Sequence, residues 1–278
     1  MSSSLVSTAQ LAQILSDPDW IIIDCRHNLT DVEAGRRAYQ SAHIPGAFFL
    51  HLDEDLAGKK TGSNGRHPLP EVKTFAAKMS SIGVDKNKTV VAYDDAGGMF
   101  AVRFWWMLRS LGHDKVMLLD GGITKWLTEN RPVNAHSPKA MPATFTPTET
   151  WQNVNADYVS QRLHQPAMCL IDARAPDRFA GQNETLDAMA GHIPGAGNRF
   201  FKNNLDAEGR FKSAELLRNE FDALLKNNAA KNVVHQCGSG VTACHNLFAM
   251  ELAGLGGSKL YAGSWSEWCA DIASPVEI

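Results

Sequence analysis

The segment with the clearest chemical potential is Cys237-Gly-Ser-Gly-Val-Thr242, a cysteine followed by a glycine-rich turn. The preceding residues, Asn232–Gln236, predict a buried strand, and a helix is predicted directly after the turn. In open α/β sheets, ligands bind beyond the carboxyl ends of the strands, which is where Cys237 falls. Gly238 and Gly240 allow successive N–H groups to point inward, and such a turn at a helix N-terminus holds negative charge. The same field favours the thiolate, the nucleophilic form of cysteine.

The chain repeats several motifs once, in the same order. Ile22-Ile-Asp-Cys-Arg26 returns as Leu170-Ile-Asp-Ala-Arg174, and His43-Ile-Pro-Gly-Ala47 returns unchanged as His192-Ile-Pro-Gly-Ala196. Ordered matches at one long spacing indicate a tandem duplication. A solenoid is excluded, because its period would be roughly 20–50 residues.

Each half alternates short apolar runs with amphipathic stretches. The predicted strands are Trp20–Asp24, Thr89–Tyr93, Val116–Leu119, Met168–Asp172, Asn232–Gln236 and Lys259–Tyr261. The predicted helices are Leu5–Ser16, Glu71–Ile82, Ala101–Leu111, Ala156–His164, Ala214–Lys226 and Thr242–Ala253. This alternation predicts an α/β fold in which each half is a small parallel sheet flanked by helices on both faces. We expect domains at 1–133 and 151–278, joined by a Pro-rich linker at 134–150.

Composition narrows the classes of function. The 27 Lys and Arg residues against 30 Asp and Glu give a formal net charge of −3, which argues against a nucleic-acid partner. No apolar run approaches the roughly 20 residues needed to span a bilayer, and no secretory signal is evident. Five cysteines without a Cys-x-x-Cys pair predict a reducing, cytoplasmic location. We find no sequence pattern for a metal site or a cofactor, so neither is expected.

The first half is expected to be catalytically inactive, because Asp94 stands where Cys237 stands in the second.

Two rival functions are disfavoured. A cysteine phosphatase needs an arginine at the sixth position after the cysteine, and that position is Ala243. A non-enzymatic thiol carrier or binding module would be expected to have lost the nucleophile in both halves.

These motifs resemble those of the two-domain rhodanese sulfurtransferases, over residues 5–278. The resemblance implies two tandem rhodanese-like domains and a persulfide on Cys237, whose sulfur passes to cyanide, glutathione or thioredoxin. The loop at 237–242 is similar to that of 3-mercaptopyruvate sulfurtransferases. Thiosulfate-preferring members usually carry basic residues where Gly238 and Ser239 stand. A mercaptopyruvate donor is therefore expected, with thiosulfate:cyanide sulfurtransferase as the alternative.

Cleavage of mercaptopyruvate leaves pyruvate enolate, which must gain a proton. Ser239 offers a hydroxyl inside the loop, and the resemblance implies that His67 and Asp53 complete a proton relay. It also implies that Arg178 binds the substrate carboxylate, a task that suits a bidentate guanidinium group. The residues expected to bind substrate around the cysteine are Gly238, Gly240, Val241 and Thr242.

One position departs from the mercaptopyruvate pattern. Those enzymes usually bring a second arginine just before an aspartate, and Leu186 stands there, ahead of Asp187. Arg199 and Lys202 are candidates to replace it. The other cysteines and the duplicated His43 and His192 are interpreted as structural.

Overall fold

The computed structural model describes residues 4–148, 153–165, 168–226 and 228–278. The described residues fall into two compact units. The first unit comprises those within Met1–Gly58, Pro70–Trp151 and Ala207–Arg210, and the second those within Lys59–Leu69, Gln152–Asp206 and Phe211–Ile278. Residues 59–69, from the first half of the sequence, therefore belong to the compact unit formed mainly by the second half.

Each unit contains five strands and five α-helices among its described residues. The first unit has β1 (Leu5–Val6), α1 (Thr8–Gln13), β2 (Trp20–Asp24), α2 (Ala34–Ser41), β3 (Ala47–Phe49), α3 (Val72–Ser81), β4 (Thr89–Tyr93), α4 (Ala101–Ser110), β5 (Val116–Leu119) and α5 (Gly122–Thr128). The second has β6 (Asn153–Val154), α6 (Ala156–Ser160), β7 (Cys169–Asp172), α7 (Pro176–Phe179), β8 (Gly197–Asn198), α8 (Ala214–Leu225), β9 (Val233–Gln236), α9 (Ala243–Leu252), β10 (Lys259–Tyr261) and α10 (Ser264–Trp268).

The two sheets have the same strand order. It is β1-β5-β4-β2-β3 in the first unit and β6-β10-β9-β7-β8 in the second. All of these pairs are parallel, and the central registers correspond, since Ile22 lies opposite Val91 and Leu170 lies opposite Val234. An identical order of ten strands in two halves confirms the tandem duplication.

Helices cover both faces of the sheet, as the second unit shows clearly. Leu170 belongs to the apolar cluster of Trp265 from α10, whereas the next residue, Ile171, belongs to that of Phe221 from α8. Successive strand residues point to opposite faces, so each face has its own apolar layer. The predicted α/β fold class is confirmed.

The repeated Asp-x-Arg motif forms a buried ion pair in each unit. Arg26 Nη2 lies 2.6 Å from Asp24 Oδ2, and Arg174 Nη2 lies 2.7 Å from Asp172 Oδ2. The same nitrogen of each arginine donates to a main-chain carbonyl just before the repeated His-Ile-Pro-Gly segment, that of Ala42 or Gly191. The motif therefore joins the end of a central strand to the following turn.

Two helix predictions were too long. The predicted helix Leu5–Ser16 is wrong at its start, because Leu5–Val6 pairs with β5 as a short edge strand and α1 begins only at Thr8. The Ser7 side chain accepts the Gln10 N–H and so begins the helix there. The predicted helix Ala156–His164 ends early, at Ser160.

The proline-rich stretch has neither helix nor strand over its described residues, 134–148. It lies along the first unit, where the Ala143 and Phe145 N–H groups donate to Ser80 and the Thr148 N–H donates to Leu111. Residues 149 and 150 of the predicted linker lie outside the described residues. A search of the described helices finds none with the length and apolarity needed to span a membrane.

Candidate active site

Cys237 follows β9 directly and begins a short turn that leads into α9. It is 2% exposed, so its sulfur is largely shielded from solvent. Its backbone N–H donates to Ser264 Oγ at 3.1 Å, and its carbonyl accepts the Trp265 N–H at 3.0 Å. The Gly238 carbonyl accepts the Ser266 N–H at 2.9 Å. The first residues of α10 therefore fix the backbone of the turn from behind.

Ser264 has a special backbone conformation that sequence analysis missed. Its φ is +54°, in the left-handed region that rarely suits a residue with a side chain. The corresponding residue of the first repeat is Gly122, with φ +57°. The Ser264 hydroxyl accepts the Cys237 N–H and donates to the Tyr261 carbonyl at 2.8 Å, and a glycine at this position would lack both hydrogen bonds. The sequence signal for this conformation was that Ser264 aligns with a glycine, Gly122, in the first repeat.

Gly240 gives the turn its curvature. Its φ of +76° matches that of Gly97 in the first repeat, which is +70°. A β-carbon at Gly240 would also overlap the carbonyl of Ala262. Both facts require glycine at this position.

The first unit shows what such a turn does with its N–H groups. The buried carboxylate of Asp94 accepts four of them, from Ala96, Gly98, Phe100 and Ala101, at 2.8 to 2.9 Å. Burial, the largest influence, raises the pKa of the Asp94 carboxyl, while these four donors act in the opposite direction. The turn therefore directs its amides at one point, and in the first unit the chain's own carboxylate occupies that point.

The second unit has no carboxylate at the equivalent position. Among the described residues, the N–H groups of Ser239, Val241 and Thr242 have no hydrogen-bond acceptor in the protein. Donors of this kind stabilise an anion that forms beside them. The backbone around Cys237 is thus compatible with the prediction that N–H groups of the turn point inward.

His67 lies next to this turn. Its Nδ1 is 2.7 Å from Ser239 Oγ, and both residues are buried. Gly65 allows the approach, since with φ +82° a β-carbon there would come within 2.8 Å of the Gly263 carbonyl. The Arg66 N–H adds a hydrogen bond of 3.0 Å to Ser266 Oγ. Two of the predicted relay residues, His67 and Ser239, are therefore in contact within one unit.

Two arginines lie beside Gly238. Arg178 donates from Nε and Nη2 to the carboxylate of Glu184, at 2.7 to 3.2 Å. Arg66 forms an ion pair through Nη1 with Asp187. Sequence analysis identified only Arg178. Arg66 and Glu184 carried no recognisable local pattern, and Asp187 was noted only as the residue after Leu186, because the proximity of these three residues depends on packing between distant segments.

The two carboxylates differ in their electrostatics. Burial is the largest influence on Glu184 and would raise its pKa, but the hydrogen bond and charge of Arg178 and two backbone N–H donors lower it overall. Burial also dominates at Asp187, where it raises the pKa of the carboxyl despite the opposing hydrogen bond and charge of Arg66. Glu184 is therefore ionised at neutral pH and holds the Arg178 guanidinium group in place.

Asp53, the third predicted relay residue, belongs to the first unit. Its Oδ2 lies 3.8 Å from His27 Nε2, and its N–H donates to His51 Nδ1 at 3.2 Å. These three residues are close enough to form one of two potential metal-ligand groups among the described residues. His51 already bonds backbone groups through both ring nitrogens, because its Nε2 lies 2.9 Å from the Val32 carbonyl. A metal would have to displace one of these bonds.

Comparison with known proteins places this geometry in a family. A family model described as the rhodanese-like domain matches residues 7–129 and again residues 155–271. The chain belongs to the rhodanese-like family.

Full-length relatives of this rhodanese-like protein carry two kinds of name. A probable 3-mercaptopyruvate sulfurtransferase of Pseudomonas aeruginosa is 44% identical over 278 residues, 99% of this chain and 98% of the relative. A thiosulfate sulfurtransferase of Cricetulus griseus is 34% identical over 280 residues, 95% of this chain and 91% of the relative. The solved structure of the 3-mercaptopyruvate sulfurtransferase from Leishmania major superimposes with a TM-score of 0.84 at 29% identity, covering 96% of this chain and 74% of that one.

The other four cysteines of the rhodanese-like chain have surroundings that fit a structural role. Cys25 is buried in the first unit, and burial raises the pKa of its thiol well above the ordinary value. Burial likewise raises the pKa values of Cys169 and Cys269. Cys244 is fully buried in α9, where its thiol donates to the Gly240 carbonyl at 3.3 Å. Protonated thiols are poor nucleophiles, so these residues are poor alternatives to Cys237.

His43 and His192 are also structural. Each ring stacks on an aromatic neighbour, at 3.9 Å on Tyr39 and at 3.8 Å on Phe179. Each Nδ1 bonds the backbone carbonyl of that same neighbour. Equivalent contacts in both units explain the repeated motif without a catalytic role.

Arg199 is unsuited to replace the second arginine, whose usual position is occupied by Leu186. Its guanidinium group is buried and donates to Asn204 Oδ1 and to Glu220 Oε2, at 2.7 to 3.0 Å. It also stacks over Phe221 at 4.2 Å. Arg199 is thus committed to a structural network in its own unit, while Leu186 is 42% exposed.

Proposed function

We propose that this rhodanese-like protein is a sulfurtransferase that carries sulfur from 3-mercaptopyruvate to a thiol or to cyanide, through a persulfide on Cys237. Membership of the family and the names of its full-length relatives support the reaction class. The nucleophile is assigned to the domain at 151–278. The domain at 1–133 has Asp94 in place of a nucleophile, and its part in the reaction is to supply the proposed relay residues His67 and Asp53.

In the first step the Cys237 thiolate attacks the sulfur of mercaptopyruvate. A sulfur–sulfur bond forms, and the carbon–sulfur bond breaks with its electron pair passing to the departing carbon. The proton of the donor thiol is transferred to that carbon, which gives pyruvate and leaves an anionic persulfide. The amides of Ser239, Val241 and Thr242 would stabilise that anion.

The hydrogen bond between His67 Nδ1 and Ser239 Oγ is the observation that favours mercaptopyruvate over thiosulfate as the sulfur donor. A hydroxyl and an imidazole in contact can move a proton from the donor sulfur to the enolate carbon. Thiosulfate leaves as sulfite, which needs no protonation at carbon. A buried proton relay beside the nucleophile therefore favours mercaptopyruvate. We include Asp53 in this relay by family resemblance only.

In the second step an acceptor thiolate attacks the outer sulfur of the persulfide. The sulfur–sulfur bond breaks, its electron pair returns to Cys237, and the acceptor leaves as a persulfide. Cyanide would leave as thiocyanate by the same displacement. Thioredoxin and glutathione are acceptors of suitable chemistry, and a cytoplasmic location, which would supply them, remains a prediction.

Thiosulfate is the alternative donor. A ring of amide donors with Arg178 nearby would also suit a small dianion. Steady-state assays with both donors separate the two functions. We expect the larger kcat/KM with mercaptopyruvate, and a larger value with thiosulfate would reverse the assignment.

Mass spectrometry tests the covalent step directly. After incubation with mercaptopyruvate and removal of excess donor, we expect the peptide that contains Cys237 to gain the mass of one sulfur atom. Pyruvate should appear in equal amount, and cyanide should then remove the added mass. An unmodified Cys237 peptide alongside released pyruvate would contradict the persulfide mechanism.

Replacement of His67 with alanine should lower kcat for mercaptopyruvate by about 100-fold, the usual contribution of a general acid–base group. The rate with thiosulfate should change little, because sulfite needs no proton relay. His136→Ala, at an exposed histidine, is the matched control. Equal losses with both donors would show that His67 maintains the shape of the turn and does not transfer a proton.

A further inference from the structure

Ser266, in the first turn of α10, bonds two segments that lie far apart in the sequence. Its backbone N–H donates to the Gly238 carbonyl at 2.9 Å, in the turn that begins with Cys237. Its hydroxyl oxygen accepts the Arg66 N–H at 3.0 Å, from the segment that carries His67. One buried residue therefore holds the turn of the proposed nucleophile through its main chain and the segment of the proposed relay histidine through its side chain.

The directions of the hydrogen bonds at this hydroxyl are fixed. The Ser266 hydroxyl donates its one proton to the Gly263 carbonyl at 3.2 Å, three residues back in the chain. Its oxygen lone pairs are then left to accept, which is what a backbone N–H such as that of Arg66 requires. Replacement of this serine with alanine would remove the acceptor of the Arg66 N–H.

The segment before His67 has the shape that is needed to reach this hydroxyl. A β-carbon built at Gly65 would lie 2.8 Å from the Gly263 carbonyl and 3.1 Å from Ser266 Oγ, and the φ of Gly65 is +82°. The left-handed backbone and the close approach both require glycine. Gly65 and Ser266 together therefore fix the position of the Arg66 N–H.

The N–H that Ser266 holds belongs to the residue directly before His67. The His67 ring contacts the turn, because its Nδ1 lies 2.7 Å from Ser239 Oγ. Proton transfer needs heavy atoms about 2.6–3.2 Å apart, and a misplacement of about 1 Å can reduce a rate about 100-fold. A small displacement of this segment would therefore change how often the histidine and the serine are aligned for transfer.

On the basis of the proposed function, we propose that Ser266 is a positioning residue for the proton relay, whose hydroxyl holds the segment of His67 at the distance from Ser239 that proton transfer requires. Ser266 acts through His67 and transfers no proton itself. The first repeat has a hydroxyl at the same place, since Thr124 is the third residue of α5 as Ser266 is of α10. A hydroxyl at this helix position is therefore compatible with the fold of both units.

Ser266→Ala should lower kcat for mercaptopyruvate about 10-fold and leave KM nearly unchanged, because the donor still binds while the relay is aligned less often. The bond from the Ser266 N–H to the Gly238 carbonyl involves the main chain only, so the turn keeps it. The rate with thiosulfate should therefore change little. Ser266→Thr retains a hydroxyl that can bond the carbonyl three residues back, and it should restore most of the lost kcat. A Ser266→Thr variant with a normal thermal midpoint that stayed as slow as Ser266→Ala would contradict the role of the hydroxyl.

Ser80→Ala is the matched control, because the Ser80 hydroxyl makes the same two kinds of hydrogen bond in the first unit. It donates to a carbonyl of its own helix, that of Ala76, at 2.9 Å, and it accepts the N–H of a distant residue, Phe145, at 3.0 Å. We expect wild-type kcat from Ser80→Ala with both donors. A loss of kcat as large as that of Ser266→Ala would mean that reduced stability explains both variants.

A double-mutant cycle tests whether Ser266 acts through His67. In the His67→Ala background, Ser266→Ala should cause little further loss of kcat, because the residue that it positions is already absent. Losses that multiply in the double variant, or equal losses with mercaptopyruvate and thiosulfate, would overturn the proposal. If wild-type protein forms pyruvate and a persulfide while Ser266→Ala keeps full activity, the role of Ser266 is wrong and the sulfurtransferase function stands. If wild-type protein forms no pyruvate and no persulfide from mercaptopyruvate, the proposed function itself fails.

Discussion

Cys237→Ser should abolish sulfur transfer, with a loss in kcat of about 10³-fold or more. A serine hydroxyl is not ionised near neutral pH, and an oxygen in that position cannot hold the transferred sulfur as a persulfide. The loss should appear with mercaptopyruvate and with thiosulfate, because both donors use the same covalent intermediate.

The variant should fold normally. The hydrogen bonds that fix residue 237 run from its N–H to Ser264 Oγ and from the Trp265 N–H to its carbonyl, and the substitution leaves both intact. The thermal midpoint should therefore stay close to that of wild-type protein. A folded but inactive variant separates loss of chemistry from loss of structure.

Cys169→Ala is the matched control, because burial raises the pKa of this thiol and it lies away from the turn in β7. We expect wild-type kinetics from it. Sulfur transfer that persists in Cys237→Ser, or added sulfur on a peptide that contains Cys169 or Cys269, would exclude Cys237 as the sulfur carrier.

The central strands were predictable because they are buried on both faces. Trp20–Asp24 and Thr89–Tyr93 are short apolar runs rich in β-branched residues, and the structure has strands with the same limits. Edge strands were not predictable. Leu5–Val6 becomes β1 only because Leu118 and Leu119 lie beside it, and two residues are too few to show a period.

The turn around Cys237 was predictable for a different reason. Its curvature depends mainly on a residue within the turn, Gly240, whose left-handed φ favours glycine. The charged groups beside it were not predictable from local pattern. Arg66 reaches Gly238 only because residues 59–69 belong to the second unit, and nothing in their own sequence indicates that contact.

Asp94→Ala should destabilise the first unit by about 3 kcal/mol or more, the second large effect that we expect. The buried carboxylate of Asp94 accepts four backbone N–H groups, and its removal leaves all four without an acceptor. Each buried donor left unsatisfied costs about 1–3 kcal/mol, although water that enters the site offsets part of the sum.

The loss should lower the midpoint of the first unit by roughly 10 °C, measured by differential scanning calorimetry. Asp95→Ala is the matched control, because Asp95 lies in the same turn with an exposed side chain, and its midpoint should change little. Equal midpoints for the two variants would mean that the four hydrogen bonds contribute little to stability.

Rescue by a small anion then tests whether the turn is an anion site and not only a cavity. Formate has the carboxylate that Asp94→Ala lacks, and binding to the folded state alone raises stability in proportion to occupancy. We expect added formate to raise the midpoint of the first unit in Asp94→Ala while leaving the midpoint of that unit unchanged in wild-type protein and in Asp95→Ala, with formamide as the uncharged comparison. The turn at Cys237 shares one left-handed glycine with this turn, Gly240 in place of Gly97, so this response would show that converging amides of such a turn bind an anion. If formate and formamide raised the midpoint equally, the effect would come from filling the cavity and not from the negative charge. The electrostatic role proposed for the turn at Cys237 would then have no support from the first unit.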